Sequence, residues 1–255
     1  MGENHAVIIA MTGKGGVGKT SLSAVMIGQL VREFPDKRIL AIDADPAVGL
    51  STALGVEVGE TVDDIRREFV SAAENGDGRS ALELLGDARY RIFDALVEQD
   101  GFSFLAIGRP EAAGCYCKVN SYLKDVISIL SSNYDYIVVD GEAGIEQVNR
   151  RVMEKVTHLV LVSDASRKGV QVMGTIRDVA SELVMYDRVG AILNRLPAAA
   201  LEAGVDTGDI PVLARIPADD GLASLDMEGK SVLSLGDDSV IVQGVRKALH
   251  DLGIL

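Results

Sequence analysis

Short runs of apolar residues alternate with longer amphipathic stretches along the whole chain. The apolar runs predict seven strands: Ala6–Met11, Arg38–Asp43, Phe102–Gly108, Tyr134–Asp140, His158–Val162, Val189–Leu193 and Val212–Ile216. Runs such as YIVVD and HLVLV are apolar on successive residues, which indicates strands buried on both faces of a parallel sheet. Helical stretches between the strands are Thr20–Phe34, Val119–Leu130 and Gly169–Met185. The alternation predicts an α/β fold, a doubly wound and mostly parallel sheet flanked by helices.

One segment, Thr61–Asp100, departs from this alternation. It is charged and lacks a strand-like run, so we expect it to be helical, with a break at Asn75–Gly78. The last residues, Val245–Leu255, predict a terminal helix that packs on the core. No linker rich in proline, glycine or serine divides the sequence. We therefore expect residues 1–255 to form a single domain with a helical insertion at about 61–100.

The composition of the chain indicates which classes of partner and which cellular compartment to expect. The chain has 25 basic and 38 acidic residues and a formal net charge of −13. Such a charge repels the phosphates of nucleic acids and anionic lipid headgroups, so we expect neither nucleic acid nor membrane as a partner. No apolar run reaches the ~18 residues that span a bilayer, and the N-terminus lacks the basic region of a secretion signal. We expect a cytoplasmic protein.

A glycine-rich loop follows the first predicted strand and leads into an apolar helix. It reads Gly13-Lys14-Gly15-Gly16-Val17-Gly18-Lys19-Thr20-Ser21 and satisfies G-x-x-x-x-G-K-[ST] in the strand–loop–helix setting that this pattern requires. In such a loop backbone N–H groups bind phosphate, the lysine reaches the β and γ phosphates, and the threonine hydroxyl ligates Mg²⁺. The loop also fits the dinucleotide pattern G-x-G-x-x-G, which does not account for Lys19 and Thr20. The sequence therefore predicts a P-loop domain that binds Mg²⁺ and ATP through residues 13–21.

A second lysine in the loop, Lys14, points to a known family. KGGVGKT resembles the deviant Walker A motif of the MinD/NifH/ArsA-type P-loop ATPases, and later landmarks of that family follow in order along nearly the whole chain. The resemblance implies an ATP hydrolase that works as a homodimer. It also implies three catalytic residues: Lys19 at the phosphates, Lys14 reaching the nucleotide of the partner subunit, and Asp45 positioning the attacking water.

Further landmarks of the same resemblance concern the metal ion and the base. Asp43 ends the second strand, and Asp140 ends a strand that resembles Walker B. The resemblance implies that both hold Mg²⁺ together with Thr20, a role that suits carboxylates at strand ends beside a phosphate loop. It also implies that Asn194 and Pro217, which follow later strands, contact the adenine side of the nucleotide.

The two cysteines, Cys115 and Cys117, are separated by one tyrosine. A disulfide between positions i and i+2 closes a small strained ring, and two thiolates are too few for a closed tetrahedral metal site. In a two-fold dimer the same loop from each subunit would supply four thiolates in total. Four sulfurs suit Zn²⁺, an iron–sulfur cluster, or Ni²⁺ in a flattened geometry. The sequence predicts a metal site shared across the dimer.

Cys-Tyr-Cys followed by Asn120–Leu123, together with the run Glu142–Glu146, resembles the CooC-type ATPases. The resemblance implies that Cys115 and Cys117 bind nickel (or zinc) and that the protein delivers it to a carbon monoxide dehydrogenase/acetyl-CoA synthase-type client. An ATP-binding carrier with an iron–sulfur cluster bridging the dimer stays open as the alternative. An ATP-switched positioning protein is disfavoured by the cysteines and the acidity.

Overall fold

Strands and helices alternate in the structure as the hydrophobic pattern predicts. The structure, a computed structural model, describes residues 6–74, 87, 90–108, 128–130, 132–141, 155–183 and 186–255. The strands in these ranges are β1 (Val7–Gly13), β2 (Ile39–Asp43), β3 (Val97–Gln99), β4 (Phe102–Ala106), β5 (Tyr136–Asp140), β6 (His158–Ser163), β7 (Arg188–Leu196) and β8 (Val212–Pro217). All seven predicted strands are confirmed.

The helices of the described residues lie between these strands and after the last one. They are α1 (Lys19–Glu33), α2 (Gly49–Leu54), α3 (Val62–Glu74), α4 (Arg167–Leu183), α5 (Ala198–Ala203), α6 (Asp220–Glu228) and α7 (Val240–Asp251), with a 3₁₀ turn at Val232–Ser234. Residues 87, 90–94 and 128–130 are also helical. The predicted helices Thr20–Phe34 and Gly169–Met185 are therefore confirmed. Of Val119–Leu130, residues 128–130 are helical, and the rest lies outside the described residues.

One sheet contains all eight strands, in the order β3-β4-β2-β5-β1-β6-β7-β8. Its pairs are parallel except for β3, which runs antiparallel to β4 at the edge. The chain leaves β1 towards β2 on one side and later adds β6, β7 and β8 on the other. A parallel sheet whose strand order reverses in this way leaves a crevice at the carboxyl ends of its central strands, where such folds bind ligands.

The edge strand β3 corrects one expectation. Thr61–Asp100 was expected to be helical with one break, and α3 begins there after Thr61, whose hydroxyl accepts from the N–H of Asp64 at 3.2 Å. Val97–Gln99 is instead a strand, half-buried at its first residue and exposed at the next two. Three residues are too short for alternation to be visible, so pairing with β4 decided the conformation. The expected break at residues 75–78 lies outside the described residues.

Both faces of the sheet are covered by helices. Ile9 and Met11 of β1 point to the face that packs against α1 and α7. Ala10 of the same strand points to the opposite face, which packs against α3 and α4. The expectation that the C-terminal residues form a core-packed helix is confirmed, since Val245 and Leu249 are fully buried. Burial of each such aliphatic side chain contributes about 1.5–3 kcal/mol to the stability of the fold. The well-packed sheet is therefore a rigid support for the loops at its edge. Within the described ranges, no helix is both long and apolar enough to cross a membrane.

Candidate nucleotide-binding site

Close packing explains two glycines of the loop between β1 and α1. A Cβ on Gly13 would lie 2.1 Å from the carbonyl oxygen of Val162 in the neighbouring strand β6. Gly18 caps the N-terminus of α1 with a φ of 91°, a conformation that other residues rarely adopt. Gly13 is required because no side chain fits against β6, and Gly18 is required because of its backbone conformation. The loop can therefore bring its backbone N–H groups and the N-terminus of α1 to face the same space.

That space is an open cleft of about 420 Å³, lined by Gly15, Gly16, Gly18, Lys19, Thr20, Asp45 and Arg195. The side chain of Lys19 is buried, and its Nζ lies 3.2 Å from the Gly13 carbonyl oxygen and 3.3 Å from that of Lys14. Val17 and Ser21 lie on the same loop and in the first turn of α1, outside this lining set. The structure thus gathers most of the predicted phosphate-binding residues around one cleft.

The residues predicted to hold Mg²⁺ lie together beside the loop. Asp43 and Asp140 are paired in register on the adjacent parallel strands β2 and β5. The hydroxyl of Ser23 donates to Oδ1 of Asp140 at 3.0 Å, and Thr20 also hydrogen-bonds this carboxyl group. The other oxygen, Oδ2 of Asp140, is buried without a hydrogen-bond partner in the described part of the chain. Sequence reasoning missed Ser23, whose only signal was its place one turn after Thr20 on α1.

The carboxylate of Asp43 accepts hydrogen bonds from the backbone of the residues that follow it. Its Oδ1 accepts from the N–H of Asp45 at 3.1 Å and its Oδ2 from the N–H of Leu50 at 2.9 Å. Burial raises the pKa of Asp43 to about 7, and the charge of Asp140 adds to the rise against those two hydrogen bonds. Burial likewise raises the pKa of Asp140 to about 6, against hydrogen bonds from Thr20 and Ser23 and the charge of Lys19.

These carboxyl groups and the Thr20 hydroxyl fit a bound Mg²⁺. Mg²⁺ takes one or two protein carboxylates, keeps several waters and binds substrate phosphates. An unpartnered buried carboxylate oxygen beside a threonine hydroxyl provides such ligands. The described residues contain no group of three or more His, Cys, Asp or Glu side chains arranged for a metal ion. Cys115 and Cys117 lie outside the described residues.

The raised pKa values predict a pH dependence of stability without Mg²⁺. A carboxyl group whose folded pKa lies above its unfolded value of about 4 destabilises the fold progressively as pH rises through the interval between the two. The metal-free protein should therefore lose stability from pH 4 to about 7. Asp140→Asn removes one of the two charges and should raise the free energy of unfolding at pH 8 by on the order of 2 kcal/mol.

Urea unfolding in EDTA between pH 5 and 8 measures this effect. Asp226→Asn, on the exposed face of α6, serves as the control and should follow the wild type. Added Mg²⁺ should stabilise the wild type at pH 8 more than the Asp140→Asn variant. A variant with the same pH slope as the wild type would show that Asp140 is not a source of the buried repulsion.

The segment after β2 places Asp45 at the cleft. The Asp45 side chain is half-buried, and its Oδ1 accepts from the N–H of Ala47 at 2.9 Å. Val48 follows with a φ of 50°, a left-handed conformation that is costly for a β-branched residue. Such outliers cluster at sites that change conformation. The position of Asp45 is compatible with a role at the phosphates.

Lys14 is turned towards its own chain. Its Nζ lies 3.3 Å from Oδ2 of Asp164, a residue that follows β6, and each side chain is about one-third exposed (33% and 35%). Burial would raise the pKa of Asp164, but hydrogen bonds from Ser166 and Lys14 lower it overall. Sequence reasoning missed this partner, because Asp164 is 150 positions away.

The two predicted adenine-side residues occupy different places. Asn194 in β7 is 3% exposed, and its Nδ2 donates to the Val17 carbonyl oxygen at 2.9 Å. The next residue, Arg195, donates from Nη1 to the Gly16 carbonyl oxygen at 3.2 Å and was missed as a site residue. Pro217 ends β8 and is not among the residues that line the cleft. The structure therefore places Asn194 against the phosphate loop.

Known proteins resemble this chain in sequence and in fold. The model of the family CobQ/CobB/MinD/ParA nucleotide binding domain matches residues 8–232. The chain is 33% identical to the uncharacterized ATP-binding protein MJ0685 of Methanocaldococcus jannaschii, over 94% of this chain and 96% of that protein. It is 30% identical to the carbon monoxide dehydrogenase accessory protein CooC of Rhodospirillum rubrum, over 89% of each chain.

Solved structures agree on the fold. The septum site-determining protein MinD of Pyrococcus horikoshii, solved in complex with Mg-ADP, superposes with a TM-score of 0.68 at 23% identity and covers 97% of this chain and 96% of its own. The match to the family model extends over the phosphate loop, β2 with Asp43, and β5 with Asp140. The chain therefore belongs to the CobQ/CobB/MinD/ParA family of nucleotide-binding P-loop ATPases.

Proposed function

We propose that this protein is a cytoplasmic, Mg²⁺- and ATP-dependent ATPase that works as a homodimer and inserts nickel into a carbon monoxide dehydrogenase/acetyl-CoA synthase-type client. The observation that carries the proposal is the 30% identity with the accessory protein CooC over 89% of both chains, in a chain whose two cysteines form a Cys-x-Cys motif. In this proposal nickel is the cargo, bound by Cys115 and Cys117 of both subunits. Zn²⁺ would occupy the same thiolates in vitro.

The cleft supports the ATPase half of the proposal. Lys19 binds the β and γ phosphates, the loop N–H groups bind the remaining phosphate oxygens, and Asp45 orients the attacking water. Thr20, Asp43 and Asp140 would hold Mg²⁺, which when bound neutralises charge that develops on the phosphates. All of these residues except Asp43 and Asp140 line the cleft, and those two lie at the ends of the neighbouring strands β2 and β5.

Backbone contacts support coupling between the nucleotide and the cysteines. The segment with Cys115 and Cys117 follows β4, which is parallel to β2 and ends at the same edge of the sheet. The N–H of Ile107, just after β4, donates to the carbonyl oxygen of Asp43 at 2.8 Å. A movement of the Asp43–Asp45 segment on ATP binding would therefore act on Ile107, from which the chain continues towards Cys115. We propose a single domain over residues 1–255, with an insertion at about 61–100.

The alternative is an ATP-binding carrier of an iron–sulfur cluster that bridges the dimer. The same four thiolates suit that cluster, so the cysteines alone do not choose between the two functions. The test is anaerobic purification followed by nickel titration, with solution mass measured with and without a non-hydrolysable ATP analogue. The nickel proposal predicts a protein that contains neither iron nor sulfide as purified and that binds one Ni²⁺ per two chains in the titration. Bound iron and sulfide with broad visible absorption would favour the carrier instead.

Lys14 should act on the nucleotide of the partner subunit. Its pairing with Asp164 is partly exposed to water, and ion pairs near the surface contribute at most about 1 kcal/mol, so a phosphate cluster can compete for the ammonium group. We expect Lys14→Ala to bind ATP but to lose hydrolysis and ATP-dependent dimerisation. Asp164→Asn removes the competing partner and should leave dimerisation intact or strengthen it.

Mixing Lys14→Ala with Asp45→Ala distinguishes action across the dimer from action within one chain. In a mixed dimer with Lys14 acting across the interface, one site has both defects and the other has neither, so part of the hydrolysis rate should return. If Lys14 acts within its own chain, both sites are defective. Absence of recovery in mixtures where mixed dimers are shown to form would refute action across the interface.

A further inference from the structure

Two adjacent side chains at the end of β7 hold the phosphate loop by its carbonyl groups. Nδ2 of Asn194 lies 2.9 Å from the carbonyl oxygen of Val17. Nη1 of Arg195 lies 3.2 Å from the carbonyl oxygen of Gly16. The two acceptors belong to successive peptide groups in the middle of the loop. Neither contact is local in sequence, since Asn194 and Val17 are 177 positions apart and Arg195 and Gly16 are 179 positions apart.

The direction of a carbonyl group determines the direction of the next N–H group. In a trans peptide the two point in opposite directions within one plane. Hydrogen bonds to the Gly16 and Val17 carbonyl oxygens therefore orient the N–H groups of Val17 and Gly18 away from β7. Successive N–H groups of such a loop are the groups that bind phosphate.

We infer that Asn194 and Arg195 are positioning residues, which orient the N–H groups of Val17 and Gly18 towards the phosphates of the nucleotide. Asn194 would thus act on the phosphate loop rather than read the adenine base. The inference rests on nucleotide binding at this loop, a property of the family, and does not depend on the nickel-handling part of the proposed function.

Burial shows that the amide of Asn194 is committed to the loop. The residue is 3% exposed, and an unsatisfied buried amide is destabilising. A Cβ on Gly18 would lie 2.5 Å from its Nδ2, so the loop packs directly on the amide. An amide facing a carbonyl oxygen must present its nitrogen, since only the nitrogen donates. The loop glycine and the strand asparagine form one packed unit.

The backbone of β7 is distorted where the two side chains leave it. Pairing between β7 and β8 shifts register between Leu193 and Leu196, and Arg195 has a φ of 54°. Irregularities of this kind redirect side chains at strand ends and beside active sites. The exposed guanidinium of Arg195 thereby reaches the loop and lines the cleft, whereas a regular strand would continue the alternation between the two sheet faces.

Three ligands separate positioning of the loop from recognition of the base: Mg-ATP, Mg-GTP and Mg-tripolyphosphate, which has no base. Their affinities are measured by calorimetry for the full-length wild type, Asn194→Ala and Arg195→Gly. Glycine adopts the φ of position 195 without strain, so the second variant keeps the backbone while removing the guanidinium. We expect each variant to lose about 5- to 20-fold in affinity for all three ligands, with the ratio of ATP to GTP affinity unchanged.

Two further measurements separate positioning from a general loss of structure. Arg195→Lys retains one donor and should recover part of the affinity that Arg195→Gly loses. With saturating Mg-ATP bound, the amide protons of Val17 and Gly18 should exchange faster in both loss-of-contact variants than in the wild type, because their hydrogen bonds to the phosphates are weaker, while amides in the core of β1 stay protected. An equal increase in exchange rate at all amides of the molecule, relative to the wild type, would indicate global destabilisation and contradict the inference.

The remaining outcomes are distinct. If Asn194→Ala weakens ATP but leaves GTP and tripolyphosphate unchanged, Asn194 reads the base and the inference is wrong for that residue. Unchanged tripolyphosphate affinity in Arg195→Gly overturns it for Arg195. If the wild type binds neither ATP nor tripolyphosphate, the nucleotide function itself fails, and the inference fails with it.

Discussion

Lys19→Ala is expected to abolish ATP hydrolysis and to weaken ATP binding by roughly a hundredfold or more, because it removes the buried cation of the phosphate loop. The Lys19 ammonium group is held 3.2 Å from the Gly13 carbonyl oxygen and 3.3 Å from that of Lys14, inside the loop that would surround the phosphates. Its 7% exposure means that water screens it little. Water cannot replace the positive charge that Lys19 holds next to the transferred phosphate.

Asp45→Ala is the matched comparison, because Asp45 lines the same cleft without being a cation. ATP binding should survive in this variant, while turnover should fall by about two to three orders of magnitude as the attacking water loses its orientation. Calorimetry measures the binding, and phosphate release measures the turnover. Lys247→Ala, an exposed lysine of α7 paired with Asp251, controls for the loss of a positive charge. Asp45→Ala turnover at the wild-type rate would show that another group positions the water.

Either Cys115→Ser or Cys117→Ser is expected to remove nickel binding almost completely. Each substitution occurs twice in a two-fold dimer, so either one takes away two of four thiolates. We expect an affinity loss of roughly a thousandfold or more in each variant, and loss of the metal-dependent preference for the dimer. Tyr116→Phe leaves both thiols in place and serves as the control. ATP binding should persist, because its residues lie on the loop between β1 and α1.

Nickel titration with and without a non-hydrolysable ATP analogue checks this prediction. The wild type should bind one nickel per two chains, and affinity should fall at lower pH because each thiol must lose its proton. If the two sites are coupled, ATP and nickel must change each other's affinity by the same factor. One nickel per chain, or unchanged binding in both serine variants, would refute the shared site.

The short antiparallel edge strand shows where the hydrophobic pattern stops being informative. Val97–Gln99 has one half-buried and two exposed residues, so neither alternation nor an apolar run marks it. Its conformation depends on hydrogen bonds to β4, with Val97 opposite Phe104 and Gln99 opposite Phe102. By contrast, β5 and β6 are buried over four and five consecutive residues. Strands buried on both faces require apolar side chains at successive positions, and the sequence shows this as an apolar run.

The sequence by itself determined the doubly wound sheet, the phosphate loop, and the positions of the carboxylates Asp43 and Asp140 at the ends of two strands. Each of these leaves a local pattern, because buried parallel strands need consecutive apolar residues and phosphate binding needs glycine, lysine and threonine at set spacings. Tertiary structure alone decided that Ser23 donates to Asp140, that Lys14 pairs with Asp164, and that Asn194 holds Val17. These pairs are separated by 117, 150 and 177 positions. A hydrogen bond between distant residues depends on which strand ends meet and on the rotamers that packing selects, and no spacing along one chain records either.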